Sequence, residues 1–301
     1  MGSWSGVYAA EMPFRLGAVR SNSLASVRAV LLSEDYVYDL ATVSGDPTLA
    51  DPLVAISRFE ELSTMSAALE AHSPLARCDE TTLACPVPSP EKIFAIGKNY
   101  LDHAEETGHT APEQPMVFTK FRNALNDPCG EIVLSGDRVD WEVELVVVIG
   151  RGGRHIDPTS AWQHVAGLTL GQDISDRRVQ RLGSPAQFSL GKSFDGYGPV
   201  GPAICSVDLF EDPNDIGLSC AVDGKLRQQG RTRDLIFDVP TLIAYLSAIC
   251  TLTPGDLIFT GTPGGVGDAT GTYLSAGSLI ESEAEVIGEF HNRCVGPRAT
   301  R

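Results

Sequence analysis

The fold class the sequence predicts is α+β with strands in the majority, and two features predict it. Short apolar runs rich in β-branched residues, ended by glycine, proline or an acid, recur along most of the chain. Helical periodicity is confined to a few stretches, chiefly Ile56 to Ala71 and the segment after Asp238. The strongest strand signal is Asp140-Trp141-Glu142-Val143-Glu144-Leu145-Val146-Val147-Val148-Ile149-Gly150. Side chains alternate along a strand, so Glu142 and Glu144 share one face while Trp141, Val143 and Leu145 take the other. Two carboxylates running into an apolar strand repel each other and lose hydration. A nearby cation resolves that conflict; a solvated strand end is the plainer explanation.

A chain of 301 residues can bury a substantial core, as one large domain or two smaller ones. Its formal charge of −16, from 39 acids against 23 lysines and arginines, argues against non-specific binding to nucleic acid or an anionic membrane. The longest apolar runs are far too short to span a bilayer, and Met1-Gly2-Ser3-Trp4 lacks the character of a signal peptide. Seven cysteines without a Cys-x-x-Cys pair point to reduced thiols, and so to the cytoplasm, rather than to a disulfide scaffold or zinc cage.

In order along the chain, Phe14 to Val19, Ala25 to Leu32 and Tyr36 to Leu40 read as short strands. The helical stretch follows, through Phe59, Leu62, Met65 and Leu69. Nothing there pairs titratable groups in a way that suggests chemistry. Residues 1–88 are therefore read as a small N-terminal α+β packing domain, closed by the stiff segment Pro86-Val87-Pro88-Ser89-Pro90. Residues 89–298 form the second domain, opening with the strand Lys92 to Gly97. Asn99 or Asp102 then caps a brief helix ending at Gly108, with His103 and Glu106 on one face. A carboxylate beside an imidazole orients it and raises its basicity, as a base acting on water requires; an ordinary surface pair has the same spacing.

Strands follow at Met116 to Phe118 and Ala166 to Asp173. Asp173 reads either as a third oxygen ligand or as an acid in the first turn of a helix. Ser175 is the expected cap of that helix, which runs through Leu182 with Arg177 and Gln180 on one face. Gly191-Lys192-Ser193 looks like the end of a phosphate loop, but Ala186 stands where that motif needs glycine. Lys192 instead offers a flexible positive charge. Strands at Ser219 to Val222 and Lys225 to Gln228 flank an Asp223-Gly224 turn. Asp238 caps a helix that buries Leu242, Ile243, Leu246 and Ile249.

After the strand Leu257 to Thr260, the loop Gly261-Thr262-Pro263-Gly264-Gly265-Val266-Gly267 fails the dinucleotide pattern, because Thr270 replaces its last glycine and no helix obviously follows. Its amides and Thr262 suit a carboxylate, or simply a tight turn. Strands at Leu279 to Val286 and Glu289 to Val295 close the chain. No Gly-x-Ser-x-Gly elbow is present and the six histidines form no His-x-x-x-His, which leaves acids and one metal as the most economical chemistry.

Taken together and in order, five motifs resemble those of the fumarylacetoacetate hydrolase family across roughly residues 90 to 296. They are Gly97-Lys98-Asn99-Tyr100-Leu101-Asp102-His103, the Asp140–Gly150 run, Gln172-Asp173-Ile174-Ser175 with Gln180, Gly191-Lys192-Ser193-Phe194-Asp195, and Thr260 through Gly267. The resemblance implies a mixed β-sandwich-like roll with peripheral helices, usually a homodimer, holding one Mg²⁺ or Mn²⁺. The N-terminal residues then match the smaller domain of its bacterial two-domain members. By position, Glu142, Glu144 and Asp173 match the metal carboxylates, and His103 and Glu106 the water-activating dyad. Lys192 matches the lysine beside the substrate oxygens, and Gln180 and Thr262 match substrate contacts. Gln172, Phe188, Asp176 and Arg122 depart from residues usual in the family. Arg122 hints at an acidic group on the substrate, although a surface arginine explains it equally.

The chemistry this implies is hydrolysis of a C–C bond in an acylpyruvate-like or other β-dicarbonyl substrate. His103, oriented by Glu106, removes a proton from water, and the departing carbanion is held as an enolate by the metal and Lys192. Hard oxygen ligands favour Mg²⁺ or Mn²⁺ over zinc. A lyase on the same platform, decarboxylating, dehydrating or isomerising a 2-oxo acid, is the first rival. A binding protein whose ion only stabilises the fold is the second.

Overall fold

The computed structural model describes residues 13–20, 27–101 and 112–297. The expectations for Asp102, His103 and Glu106 lie outside the described residues.

Strands dominate, as expected. Among the described residues the larger sheet is 12-stranded. Ten strands lie across it in order, Ala76–Arg77, Tyr36–Asp39, Val27–Leu32, Arg15–Arg20, Gly198–Cys205, Val165–Gln172, Val143–Ile149, Leu257–Phe259, Ile93–Gly97 and Met116–Thr119, while Leu83–Ala84 pairs with Arg15–Arg20 and Leu125–Asn126 with Gly198–Cys205 off this path. Neighbours on this path are antiparallel except Leu257–Phe259 with Ile93–Gly97, which run parallel. A second sheet of five strands is built on Lys225–Arg231, Gly217–Val222, Leu279–Ala284 and Gly288–Val295, with Ile132–Val133 added parallel at its edge.

The strand Val143–Ile149 is buried along its whole length because both faces are covered. Val143, Leu145, Val147 and Ile149 join one apolar cluster with Leu218, Ile280, Phe290 and the helix Val239–Ile249. Val146 and Val148 join another with Leu31, Ile56, Leu62 and Phe259. The arrangement is a β-sandwich-like roll with short helices at its margins. Among the described residues, no helix is long and apolar enough to cross a membrane.

The N-terminal residues share this sheet. Arg15 and Leu16 pair with Cys205 and Ile204, and the cluster around Ile56 and Leu62 continues into Val146 and Phe259. The segment Pro86 to Pro90 therefore joins two parts of one core.

Several local expectations need correction. The Ile56 to Ala71 stretch is broken into Pro52–Ser57, Phe59–Ala67 and a 3₁₀ turn Leu69–Ala71. Asp176, not Ser175, caps the helix after the Asp173 strand, and that helix is only Arg177–Gln180. Ser175 instead pairs with Asp140 across a two-residue ladder. Asp238 does cap the helix Val239–Ile249 through the Thr241 amide, yet Ile249 is exposed on its overhanging last turn. A short helix, Gly267–Thr270, does follow the glycine loop.

Candidate metal centre

Strand pairing assembles the acids. The register sets Val143 opposite Gln172 and Glu144 opposite Gly171, and the Asp173 amide donates to the Glu142 carbonyl at 2.8 Å. Glu142, Glu144 and Asp173 are thereby brought together, each burying its side chain, with one carboxylate oxygen from each lying within 4.8 Å of the others. The loop carrying Lys192 is drawn in by Gly191, where a Cβ would stand 2.5 Å from the Gln180 amide nitrogen. At Gly261 the backbone φ is +106°, and its amide donates to Glu144 Oε2 at 2.8 Å. The glycine loop thus does bind a carboxylate, and it is the chain's own.

Three cations are buried against these acids. Lys192 Nζ lies 2.6 Å from Glu142 Oε2 and 2.7 Å from Asp173 Oδ2. Lys120 Nζ lies 2.7 Å from Asp173 Oδ1 and also donates to the Lys192 carbonyl. Arg177 holds Glu142 Oε1 at 2.6 Å and Asp140 Oδ2 at 2.6 Å, and donates to Gln180 Oε1 at 3.0 Å. Asp140 in turn accepts the Gly267 and Asp268 amides, which fixes the far end of the glycine loop.

Glu144 is different. Among the described residues it receives the Gly261 amide and has no ion-pair partner. Burial, then the adjacent Asp173 and Glu142 carboxylates, push its pKa well above the ordinary 4.5. Burial pulls the Lys192 ammonium down, but Asp173 and Glu142 outweigh it and raise its pKa. Burial prevails at Lys120, whose pKa is lowered despite Asp173. Burial likewise opposes the Arg177 guanidinium, yet Glu142 and Asp140 keep its pKa raised.

With every group ionised, Asp140, Glu142, Glu144 and Asp173 exceed Lys120, Lys192 and Arg177 by one negative charge. Three converging carboxylate oxygens, one of them on an acid without an ion-pair partner among the described residues, fit a hard divalent ion.

A cavity of about 320 Å³ opens onto these groups. Glu142, Glu144, Lys192, Arg177, Gln180 and Thr262 line it, with Phe118, Phe188, Met116 and Ile96 as its apolar wall. The Lys192 ammonium sits 5.2 Å from the Phe118 ring centre. Thr262 reaches the cavity, but its hydroxyl already donates to the Val143 carbonyl at 2.8 Å and accepts from Gln228 at 2.7 Å. Arg122 lies in the 3₁₀ turn Arg122–Ala124, exposed and outside this lining.

Sequence reasoning missed Lys120, Asp140 and Arg177 as members of the site. Asn99 is buried and links the Phe237 backbone and the Thr260 carbonyl, while the helix it is expected to cap lies outside the described residues. The signal available for Lys120 was its place directly after a short apolar strand.

Comparison with known proteins agrees with this picture. The model of the family described as fumarylacetoacetate (FAA) hydrolase C-terminal matches residues 92–295. The chain is 39% identical over 256 residues to the human protein named oxaloacetate tautomerase FAHD2A, mitochondrial, covering 83% of this chain and 82% of that protein. The fumarylacetoacetate hydrolase of Exiguobacterium antarcticum superposes with a TM-score of 0.79 at 31% identity, over 95% of this chain and 100% of that one. The maleylpyruvate hydrolase of Sphingobium sp. SYK-6, solved with manganese(II) and pyruvate, gives a TM-score of 0.77 at 30% identity, over 94% and 100%. These named relatives are enzymes acting on small molecules. On its sequence match and its fold, the chain belongs to the fumarylacetoacetate hydrolase family.

Proposed function

We propose that the chain is a divalent-metal-dependent enzyme that forms and discharges the enolate of a 2-oxo acid. The observation that carries this reading is Glu144, a buried carboxylate facing two others with no counter-cation among the described residues. Glu142, Glu144 and Asp173 would hold Mg²⁺ or Mn²⁺, and the bound ion supplies Lewis-acid polarisation of a carbonyl. Lys192, held between Glu142 and Asp173, places a fixed positive charge at the cavity wall where an enolate oxygen develops negative charge. Arg177 and Gln180, hydrogen-bonded to each other, present a donor-rich wall that suits a carboxylate. Phe118, Phe188 and Ile96 limit water on the other side.

Two reactions use that enolate. Keto–enol tautomerisation of an oxaloacetate-like acid is favoured by the 39% identity to the human protein named oxaloacetate tautomerase. Hydrolysis of an acylpyruvate-like C–C bond is the second reading, favoured by the Sphingobium maleylpyruvate hydrolase; it adds a water activated by His103 and Glu106. A merely structural ion needs neither the cavity nor Lys192, so a binding protein is the weaker account.

The discriminating experiment follows enol absorbance of oxaloacetate, and carboxylate release from acylpyruvates, with Mg²⁺ or Mn²⁺ and then EDTA. Faster enol decay without bond cleavage supports tautomerisation. Product release with ¹⁸O from water supports hydrolysis. Neither activity in any metal rejects the proposal. All seven cysteines are free, which suits a reducing compartment such as the cytoplasm, and the homodimer expected of the family is read by light scattering.

A further inference from the structure

The cavity is lined by four cations, and among the described residues three of them are already committed. Lys192 is held by Glu142 and Asp173, Arg177 by Asp140 and Glu142, and Arg181 by Asp268. Lys98 lines the same cavity with no hydrogen-bond or ion-pair partner among the described residues. It stands directly after the strand Ile93–Gly97, and its backbone φ is +55°. That left-handed conformation is costly for a residue with a Cβ, and here it falls in the turn that follows the strand and lines the cavity. Burial alone lowers its pKa, the mark of an ammonium that has lost water without gaining an anion.

Charge balance points the same way. Among the described residues, the buried acids and cations leave one net negative charge, which a divalent ion would convert to one positive. Lys98 brings the loaded cavity to two positive charges, the complement of a dianion.

We propose that Lys98 is the specificity-determining residue of this site, pairing with a second carboxylate at the end of the substrate remote from the metal carboxylates. The inference rests on the 2-oxo acid reading above and assigns the side chain that would pair with the second carboxylate of such a substrate. The guanidinium of Arg181 does not serve this role, because Asp268 neutralises it and is itself fixed by the Tyr273 hydroxyl at 2.9 Å.

The test compares oxaloacetate with its 4-methyl ester, which differ by one charge, on the Mn²⁺-loaded wild type, Lys98→Met and Lys98→Arg. Wild type prefers the diacid in kcat/KM by about tenfold or more, the scale of one charge-assisted hydrogen bond. In Lys98→Met that preference falls below about twofold, the loss appears in KM rather than kcat, and Lys98→Arg restores most of it. Calorimetric binding of oxalate, which reaches only the metal end, separates the two layers of the account. Oxalate binding together with an unchanged diacid preference in Lys98→Met overturns the Lys98 assignment. Absence of oxalate binding in the loaded wild type overturns the metal-centre reading instead.

Discussion

The Lys120 ammonium lies 2.7 Å from Asp173 Oδ1, and neither side chain is exposed to solvent. Its partner's other oxygen is taken by Lys192 at 2.7 Å, so Asp173 is clamped from both sides. A buried charge left without its partner is costly, about 3–5 kcal/mol when one member of such a pair is removed. Lys120→Met is therefore expected to lower the melting temperature of the metal-free protein sharply. A bound divalent ion compensates the freed carboxylate, so saturating Mn²⁺ raises the melting temperature of the variant more than that of wild type. Calorimetric melts with and without Mn²⁺ check this. An equal Mn²⁺ effect in both proteins would show that Lys120 is uncoupled from the ion.

Glu144 sets the pH response. Its folded-state pKa lies above the ordinary 4.5, chiefly through burial and then through Asp173 and Glu142. Between pH 4.5 and that raised pKa, the folded metal-free protein retains a proton there that the unfolded chain has released. The Glu144 contribution is thus fully present below pH 4.5 and is lost as pH rises through the folded pKa. Mn²⁺ must displace that proton, so its affinity weakens as pH falls through the same interval and binding releases up to about one proton. In Glu144→Gln no buried acid has to be kept protonated beside Asp173 and Glu142: the metal-free melting temperature rises by about 2–6 °C, while Mn²⁺ affinity drops at least about a hundredfold. Thermal melts read the first quantity, titration calorimetry in buffers of differing ionisation enthalpy reads the affinity and the proton release, and a pH-independent affinity would contradict the assignment.

How far this site could be read beforehand depended on the range of each interaction. The shared face of Glu142 and Glu144 follows from the strand's two-residue period and needs no partner. Asp173 as a third member required the antiparallel register of Val143 with Gln172, which the sequence suggests only through family likeness. Lys120 and Arg177 stayed hidden because their acids lie 53 and 37 residues away, and no local pattern couples them. The shift of the helix cap from Ser175 to Asp176 has a local cause: Ser175 is held in the ladder with Asp140, leaving the Asp176 carboxylate to reach the Val179 amide at 3.0 Å. The N-terminal residues carry no chemistry to read, yet their strands complete the large sheet.

Asn99 offers a test away from the charges. Its side chain donates to the Phe237 and Thr260 carbonyls at 3.0 and 2.8 Å and accepts from the Phe237 amide at 2.8 Å. It therefore ties the start of the helix Val239–Ile249 to the strand that leads into Gly261. Asn99→Ala leaves those buried groups unpaired and is expected to cost about 2–4 kcal/mol in denaturant unfolding. Because Gly261 donates to Glu144, Mn²⁺ affinity falls as well. A stability loss below about 0.5 kcal/mol would mean that water replaces the amide without penalty.

The central claim is that Glu142, Glu144 and Asp173 share one divalent ion. Diffraction from crystals soaked in Mn²⁺, recorded at the manganese absorption edge, tests it most directly. A single strong anomalous peak per chain is expected, within coordination distance of one oxygen from each of the three carboxylates. A peak elsewhere, or none at an Mn²⁺ concentration that supports activity, would contradict it.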